Sequence, residues 1–128
     1  MEKTIKYYHI TKKSIKTRRS ILEKGLLCNE FGEIFLFENK SIGFEQQGFK
    51  PIRNYVADII AATQIFVKEY DMFEIDLKGI VSELVPDNVA EIPSSFQWIV
   101  KQNKIQPEYI QLYAVCKTKF KPFIQPIY

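Results

Sequence analysis

The run Ile34-Phe35-Leu36-Phe37 is the stretch that most directly indicates the fold, because four apolar residues follow one another without interruption. An alternating pattern predicts a strand with one face in water, whereas a continuous apolar run predicts a strand that is buried on both faces. Turn-forming residues flank this run on either side. The stretch therefore predicts a central strand, and the fold is expected to be built around a sheet.

Upstream of the central run, the sequence predicts a short strand followed by a helix. Residues 5–11 are rich in aromatic and β-branched residues, as strands are. Residues 12–24 carry apolar residues at helical spacing, and Gly25 is expected to end this first helix. Leu26 should fold back onto Ile21, as in the usual hydrophobic cap at the end of a helix.

The outside of this first helix is predicted to be strongly basic. The residues concerned are Lys12, Lys13, Lys16, Arg18 and Arg19. A solvated face is the commoner explanation of such a run, and a face that attracts phosphate groups is the alternative. The sequence alone leaves both explanations open.

Downstream of the central run, one more helix is predicted, and then mostly strands. Apolar residues recur at helical spacing between Pro51 and Val67, and proline suits the first position of a helix. Further strands are predicted at residues 73–77, 96–100 and 109–118, with a loop over 85–95 and an extended tail over 119–128. This order predicts one α+β domain, residues 1–128, whose later strands pair as a meander.

Composition limits the class of protein. A length of 128 residues fits one domain, and 46% hydrophobic with 26% charged residues is ordinary for a soluble globular protein. The net charge of +3 is carried mostly by lysine, which argues against a dedicated sequence-reading DNA binder. Cys28 and Cys116 are too few for a zinc site or a disulfide framework. Without a signal-peptide pattern or a long apolar stretch, a cytoplasmic protein with no membrane partner is expected.

Two polar residues interrupt predicted strands and are candidates for a site. His9 is the only histidine and has apolar neighbours, while Glu108 follows Pro107 at the entry to the last strand. A single histidine cannot form a multi-histidine metal site, so no metal is expected. Taken separately, His9 is more often a structural histidine and Glu108 more often an exposed strand residue. Only their surroundings can therefore support a functional site.

The order of these segments resembles the ADP-ribosyltransferase-like superfamily, especially small bacterial or phage members of its histidine-using branch. The segments that carry the resemblance are Tyr8-His9-Ile10-Thr11, Ser20-Ile21-Leu22-Glu23-Lys24-Gly25-Leu26, Ile34-Phe35-Leu36-Phe37, Phe73-Glu74-Ile75-Asp76-Leu77 and Ile105-Gln106-Pro107-Glu108-Tyr109-Ile110. The resemblance spans residues 6–116 and implies a compact domain with two helices against a split, mostly antiparallel sheet. It also implies NAD as the cofactor.

The resemblance implies a role for each matching residue. His9 would anchor a ribose hydroxyl of NAD, with Thr11 beside it, and Phe35 would form the wall against which nicotinamide stacks. The family often has tyrosine at the position of Phe35, so the flat ring is kept and the hydroxyl is absent. Glu108 would hydrogen-bond the nicotinamide ribose and stabilise positive charge as the glycosidic bond breaks. Gln106 resembles the first residue of the Gln-x-Glu arrangement found in some transferases.

The expected activity is NAD-dependent transfer of ADP-ribose to an unknown acceptor, which could be a protein, a nucleic acid or a small molecule. Glu108 and His9 would be the catalytic pair, because a fixed carboxylate stabilises an oxocarbenium-like transition state more than the ground state. RNA 2′-phosphotransfer ranks lower, since the chain has no room for a separate RNA-recognition lobe.

The alternative is a catalytically inactive protein of the same fold that acts as a binding or inhibitory module for a protein or nucleic-acid partner. Phe35 in place of tyrosine favours this alternative, and so does the scarcity of arginine for gripping a pyrophosphate. If the protein is a transferase, the side chains of His9, Phe35 and Glu108 are expected to line one cleft.

Overall fold

The computed structural model describes residues 6–38, 57, 60–61, 65–86 and 97–117. The described strands are β1 (Tyr7–Lys12), β2 (Leu26–Leu27), β3 (Ile34–Glu38), β4 (Glu69–Ile75), β5 (Leu84–Pro86), β6 (Gln97–Val100), β7 (Lys104–Ile105) and β8 (Ile110–Lys117). The helix α1 spans Ile15–Lys24, and two 310 turns span Leu77–Gly79 and Pro107–Tyr109. The chain is therefore an α+β protein, as its sequence predicts.

Six strands form one sheet in the order β5-β6-β3-β1-β4-β8, and β2 pairs with β7 in a separate two-stranded sheet. Each of the described pairings is antiparallel. β3 lies inside the large sheet, between β6 and β1, and its residues Ile34, Leu36 and Phe37 are all buried. The prediction that the apolar run forms a central strand is confirmed.

The later strands do not pair as a meander, so this prediction was wrong. β6 pairs with β3, β7 with β2 and β8 with β4, so each of them returns to an earlier part of the chain. The strands β2, β5 and β7 were not predicted. Each is only two or three residues long, which is too short for a periodic pattern to reveal it.

The strand predicted at residues 73–77 also differs from the structure. β4 begins four residues earlier, at Glu69, and ends at Ile75, so Leu77 lies on a 310 turn. Tyr70 and Phe73 are fully buried, because β4 has β1 on one side and β8 on the other. β4 is buried because it lies between two other strands, and the alternation of apolar and polar residues in its sequence does not predict this.

The described residues contain one complete helix, so the prediction of two helices is not confirmed. Most of the second predicted helix, from Pro51 to Val67, lies outside the described residues. Ala57, Ile60 and Ala61 are described within it, and all three are helical and buried. The predicted tail over residues 119–128 also lies outside the described part of the chain.

The ends of α1 follow from local chemistry. Ser14 has an extended backbone, and its hydroxyl accepts a hydrogen bond from the N–H of Thr17 at 3.2 Å, so the helix begins later than predicted. At the other end, Gly25 donates its N–H to the carbonyl of Ile21 at 2.9 Å and has a φ of 99°. Leu26 and Ile21 belong to one buried cluster, as the predicted cap requires.

Gly25→Ala is expected to destabilise the fold by about 3 kcal/mol. A Cβ at this position would lie 2.5 Å from the carbonyl oxygen of Ile105, and the φ of 99° is unfavourable for any residue with a side chain. Urea denaturation measures the loss. Gly32→Ala is the matched control, because its φ is 73° but a Cβ there meets nothing within 4 Å. Equal losses in the two variants would rule out the contact with Ile105 as the cause.

Buried apolar residues cover both faces of the large sheet. The cluster on the side of α1 includes Tyr7, Ile21, Leu36, Phe73 and Ile105. The cluster on the opposite face includes Tyr8, Ile10, Phe37, Ile60 and Met72. Because both faces are packed, a cavity inside this domain is expected only where the strands themselves separate.

Candidate functional site

The large sheet is split between β1 and β3. Tyr7 pairs with Glu38 and Tyr8 pairs with Phe37, and within these two described strands no further pair follows. On its other side, β1 pairs with β4 along all six of its residues. The strands β1 and β3 therefore diverge after Tyr8 and leave a gap in the sheet.

His9 lies at the start of this gap. Its Nδ1 is 2.7 Å from the carbonyl oxygen of Phe35 in β3. A carbonyl oxygen can only accept a hydrogen bond, so Nδ1 carries the proton. Burial lowers the pKa of His9, although the hydrogen bond to Phe35 partly opposes that shift. The ring is therefore neutral at pH 7, and Nε2 presents a lone pair.

A cavity of about 150 Å³ lies at this gap. Its lining residues are His9, Ile10, Phe35, Leu36, Phe37, Ile60, Ile65 and Gln97. The volume is below the roughly 300–1,000 Å³ that is usual for drug-sized ligands. The cavity thus suits one planar ring, with the rest of any larger ligand outside it. Among the described residues, Nε2 of His9 has no hydrogen-bond partner and is available to a ligand.

Only two of the predicted site residues meet in this cavity, and they are His9 and Phe35. Glu108 is exposed on the 310 turn directly before β8. It lines a separate cavity of about 330 Å³, together with Lys6 and Glu74. Gln106, the residue that precedes the same turn, is also exposed. The cleft expected from His9, Phe35 and Glu108 is therefore not formed.

The register of the sheet explains why Glu108 is distant. His9 lies opposite Phe73 in β4, and Phe73 lies opposite Leu112 in β8. Glu108 comes four residues before Leu112, and β8 is two strands away from β1. At about 4.8 Å per strand, the two-strand separation alone places the backbones of Glu108 and His9 roughly 10 Å apart, and the offset along the chain before Leu112 adds to this distance.

Gln97 is the cavity residue that sequence reasoning missed. It is the first residue of β6, it lies opposite Phe37 in β3, and only 3% of its surface is exposed. The signal that could have found it is a polar residue at the start of the predicted strand over residues 96–100. Its side chain ends in an amide, which carries no negative charge.

Arg18 points toward the sheet rather than outward from α1, which corrects its predicted place on the basic face. Its Nε donates to Oδ2 of Asp71 at 3.1 Å, and one terminal nitrogen donates to Oδ1 at 2.7 Å. Asp71 is fully buried in β4 and lies opposite Thr11 of β1. The ion pair therefore connects α1 to β4, the strand that pairs with β1 along His9.

Thr11 does not line the His9 cavity, although it follows His9 by two residues on β1. Its Oγ1 is buried and has no hydrogen-bond partner among the described residues. The lining of the cavity therefore does not support the prediction that Thr11 lies beside the cofactor.

The described part of the chain contains no group of three or more histidine, cysteine, aspartate or glutamate residues placed to hold a metal ion. It also contains no helix with the length and apolar character needed to cross a membrane. No protein-family model, curated protein or solved structure matches the chain. Evidence about function comes therefore from the His9 cavity itself.

Proposed function

We propose that this protein binds NAD at the His9 cavity, in the manner of an ADP-ribosyltransferase-like domain. The observation that carries the proposal is the hydrogen bond of 2.7 Å from Nδ1 of His9 to the carbonyl oxygen of Phe35. This bond leaves Nε2 as an acceptor and holds the imidazole in the cavity that Phe35 also lines. A ribose hydroxyl of NAD can donate to Nε2.

The lining of the cavity also supports nicotinamide as the group that enters. Nicotinamide is a single planar ring, and a cavity of about 150 Å³ is of that scale. Phe35 lines the cavity and is only partly buried, and an aromatic ring is the kind of group on which nicotinamide stacks. The remaining lining residues are apolar except for His9 and Gln97, and Nε2 of His9 is the acceptor available to a ligand. The ribose, pyrophosphate and adenosine would extend outside.

Cleavage of NAD also requires a negative charge near the ribose. The transition state is oxocarbenium-like, and a fixed carboxylate stabilises it. Among the described residues that line the cavity there is no aspartate or glutamate. The proposed function is therefore the binding of NAD without efficient cleavage of the ribosyl bond.

Transfer of ADP-ribose to an acceptor is the second candidate function, and the position of Glu108 favours it. Glu108 is exposed and lies at the entry to the last described strand, as the family resemblance implies. Its distance from His9 ranks this candidate lower, because the ribose would have to reach a second cavity. Release of nicotinamide from NAD distinguishes a transferase from a binding protein.

His9→Ala is expected to weaken NAD binding by about tenfold or more, because the variant loses the acceptor for the ribose hydroxyl. Isothermal titration calorimetry measures the change. Glu108→Gln is the control and is expected to leave the affinity unaltered, since Glu108 lines another cavity. The absence of NAD binding by the unaltered protein would refute the proposal, and so would equal affinities for the His9→Ala variant and the unaltered protein.

The pH dependence of binding provides a second readout for the same variant. Burial lowers the pKa of His9 below its ordinary value of 6.5. NAD affinity is thus expected to be constant above that pH, and to fall at lower pH as Nε2 gains a proton and stops accepting. The His9→Ala variant should not show this fall. A fall of the same size in both proteins would assign the pH effect to another group.

A further inference from the structure

Five exposed lysines lie together at one end of the large sheet. This lysine cluster consists of Lys12, Lys13, Lys16, Lys68 and Lys117. Lys12 ends β1, and the N–H of Lys13 donates to the carbonyl of Glu69 at 3.2 Å. Lys117, at the end of β8, lies opposite Glu69 in the sheet. Lys68 precedes Glu69, and Lys16 is in the first turn of α1.

The lysine cluster carries a net positive charge. Glu69 forms ion pairs with Lys13 at 3.5 Å and with Lys117 at 3.9 Å. Among the described residues, Lys12, Lys16 and Lys68 have no ion-pair partner. One carboxylate among the described residues thus pairs with two of the five lysines, and this surface attracts anions that can contact several of the ammonium groups together.

An exposed aromatic ring borders the lysine cluster. Phe66 precedes Lys68 by two residues, and 52% of its surface is exposed. Its φ of 51° lies in the left-handed region, which a bulky residue rarely adopts. The preceding residue, Ile65, lines the His9 cavity. The exposed Phe66 ring therefore lies in the chain between a residue of the cavity and a residue of the lysine cluster. Its left-handed backbone conformation has an energetic cost.

We propose that the lysine cluster and Phe66 bind single-stranded nucleic acid. The ammonium groups contact successive phosphates, and a base stacks on the Phe66 ring. Lysine is a point charge that contacts a phosphate without reading sequence, so the binding is independent of sequence and sensitive to salt. A duplex fits less well, because its bases are paired and stacked on one another. This activity goes beyond NAD binding and does not depend on it.

Fluorescence anisotropy with a labelled deoxythymidine oligonucleotide of about 12 nucleotides tests the lysine cluster. The double variant Lys12→Glu/Lys68→Glu is expected to bind about tenfold more weakly, and its log–log salt slope should be smaller by about 1.4. The matched control is Lys78→Glu/Lys101→Glu, which makes the same change in net charge at two exposed lysines elsewhere. The control should retain its affinity. Equal losses in the two double variants would overturn the proposal.

The ring of Phe66 is tested with the same oligonucleotide. Phe66→Leu keeps an apolar side chain but removes the aromatic face, and about a tenfold loss of affinity is expected. Phe66→Tyr keeps the ring and should bind like the unaltered protein. Circular dichroism and thermal melting verify that both variants are folded. An unchanged affinity of Phe66→Leu for the oligonucleotide would overturn the proposal. The proposal would also be overturned if the unaltered protein bound the oligonucleotide, a duplex, inorganic polyphosphate and anionic vesicles with equal affinity.

NAD titrations separate this proposal from NAD binding. His9→Ala should lose NAD affinity and keep the oligonucleotide, whereas Lys12→Glu/Lys68→Glu should lose the oligonucleotide and keep NAD. If the lysine variant loses NAD affinity and the unaltered protein does not bind the oligonucleotide, the cluster holds the pyrophosphate of NAD instead. That outcome overturns the nucleic-acid proposal and leaves NAD binding in place.

Discussion

Gln97→Glu is expected to convert NAD binding into measurable NAD cleavage. The substitution keeps the length of the side chain and replaces a neutral amide with a carboxyl group in the cavity that His9 and Phe35 also line. A fixed carboxylate there stabilises the oxocarbenium-like transition state more than the ground state. We expect nicotinamide release, measured by chromatography, to rise by about a hundredfold or more.

The pH dependence of nicotinamide release tests whether the faster release by Gln97→Glu comes from the introduced carboxylate. Position 97 is only 3% exposed, and burial raises the pKa of a carboxyl group. The introduced glutamate should therefore be protonated and ineffective at low pH, and nicotinamide release should rise with pH as the carboxyl ionises. Gln97→Ala removes the amide without adding a charge and is expected to stay at the rate of the unaltered protein.

Glu108→Gln is the contrasting variant for the same assay. Because Glu108 lines a separate cavity, this change should alter neither the unaltered protein nor the Gln97→Glu variant. Rapid nicotinamide release by the unaltered protein, lost on Glu108→Gln, would contradict NAD binding without cleavage. That result would establish cleavage of the ribosyl bond, by transfer or by hydrolysis, with Glu108 as its carboxylate.

The features that the sequence predicts well are local ones. The central position of β3 follows from four consecutive apolar residues, and the end of α1 follows from Gly25, whose φ of 99° favours glycine. Each of these properties depends on residues that are neighbours in the chain. Patterns of this kind are therefore visible without knowledge of the rest of the structure.

The composition of the cavity depends instead on which strands lie side by side. Glu108 and Gln97 are both polar residues near the start of a predicted strand, and nothing local distinguishes them. Gln97 reaches the cavity because β6 pairs with β3, whereas Glu108 precedes a strand that pairs with β4. Pairing between segments about forty to sixty residues apart has no signature in either segment alone. The same reasoning applies to the short strands β2, β5 and β7.

Arg18 is a second example, because its partner Asp71 is distant in the chain. Helical periodicity places Arg18 with the exposed basic residues of α1. Asp71 lies in the part of β4 that precedes the predicted strand over residues 73–77, so its burial was not expected either. Their contact is a bidentate ion pair with one partner fully buried. The contribution of this ion pair to the stability of the fold can therefore be judged only from the structure.

Arg18→Ala is expected to destabilise the protein clearly at pH 7, because it leaves the buried carboxylate of Asp71 without a counter-charge. Urea denaturation measures the loss. Arg19→Ala is the control, since Arg19 is exposed on the same helix, and a change within about 0.5 kcal/mol is expected.

The double variant Arg18→Leu/Asp71→Leu separates the ion pair from simple packing. Replacing both charges with apolar side chains removes the cost of an unpaired buried carboxylate, so this variant should be more stable than Arg18→Ala. If it is less stable, an unpaired carboxylate would not be the cause of the loss in Arg18→Ala. Since Asp71 lies opposite Thr11, two residues from His9, the result also measures how firmly β1 is held where the cavity begins. A folded Arg18→Ala protein with unchanged NAD affinity would show that the ion pair is not needed to hold β1 in place.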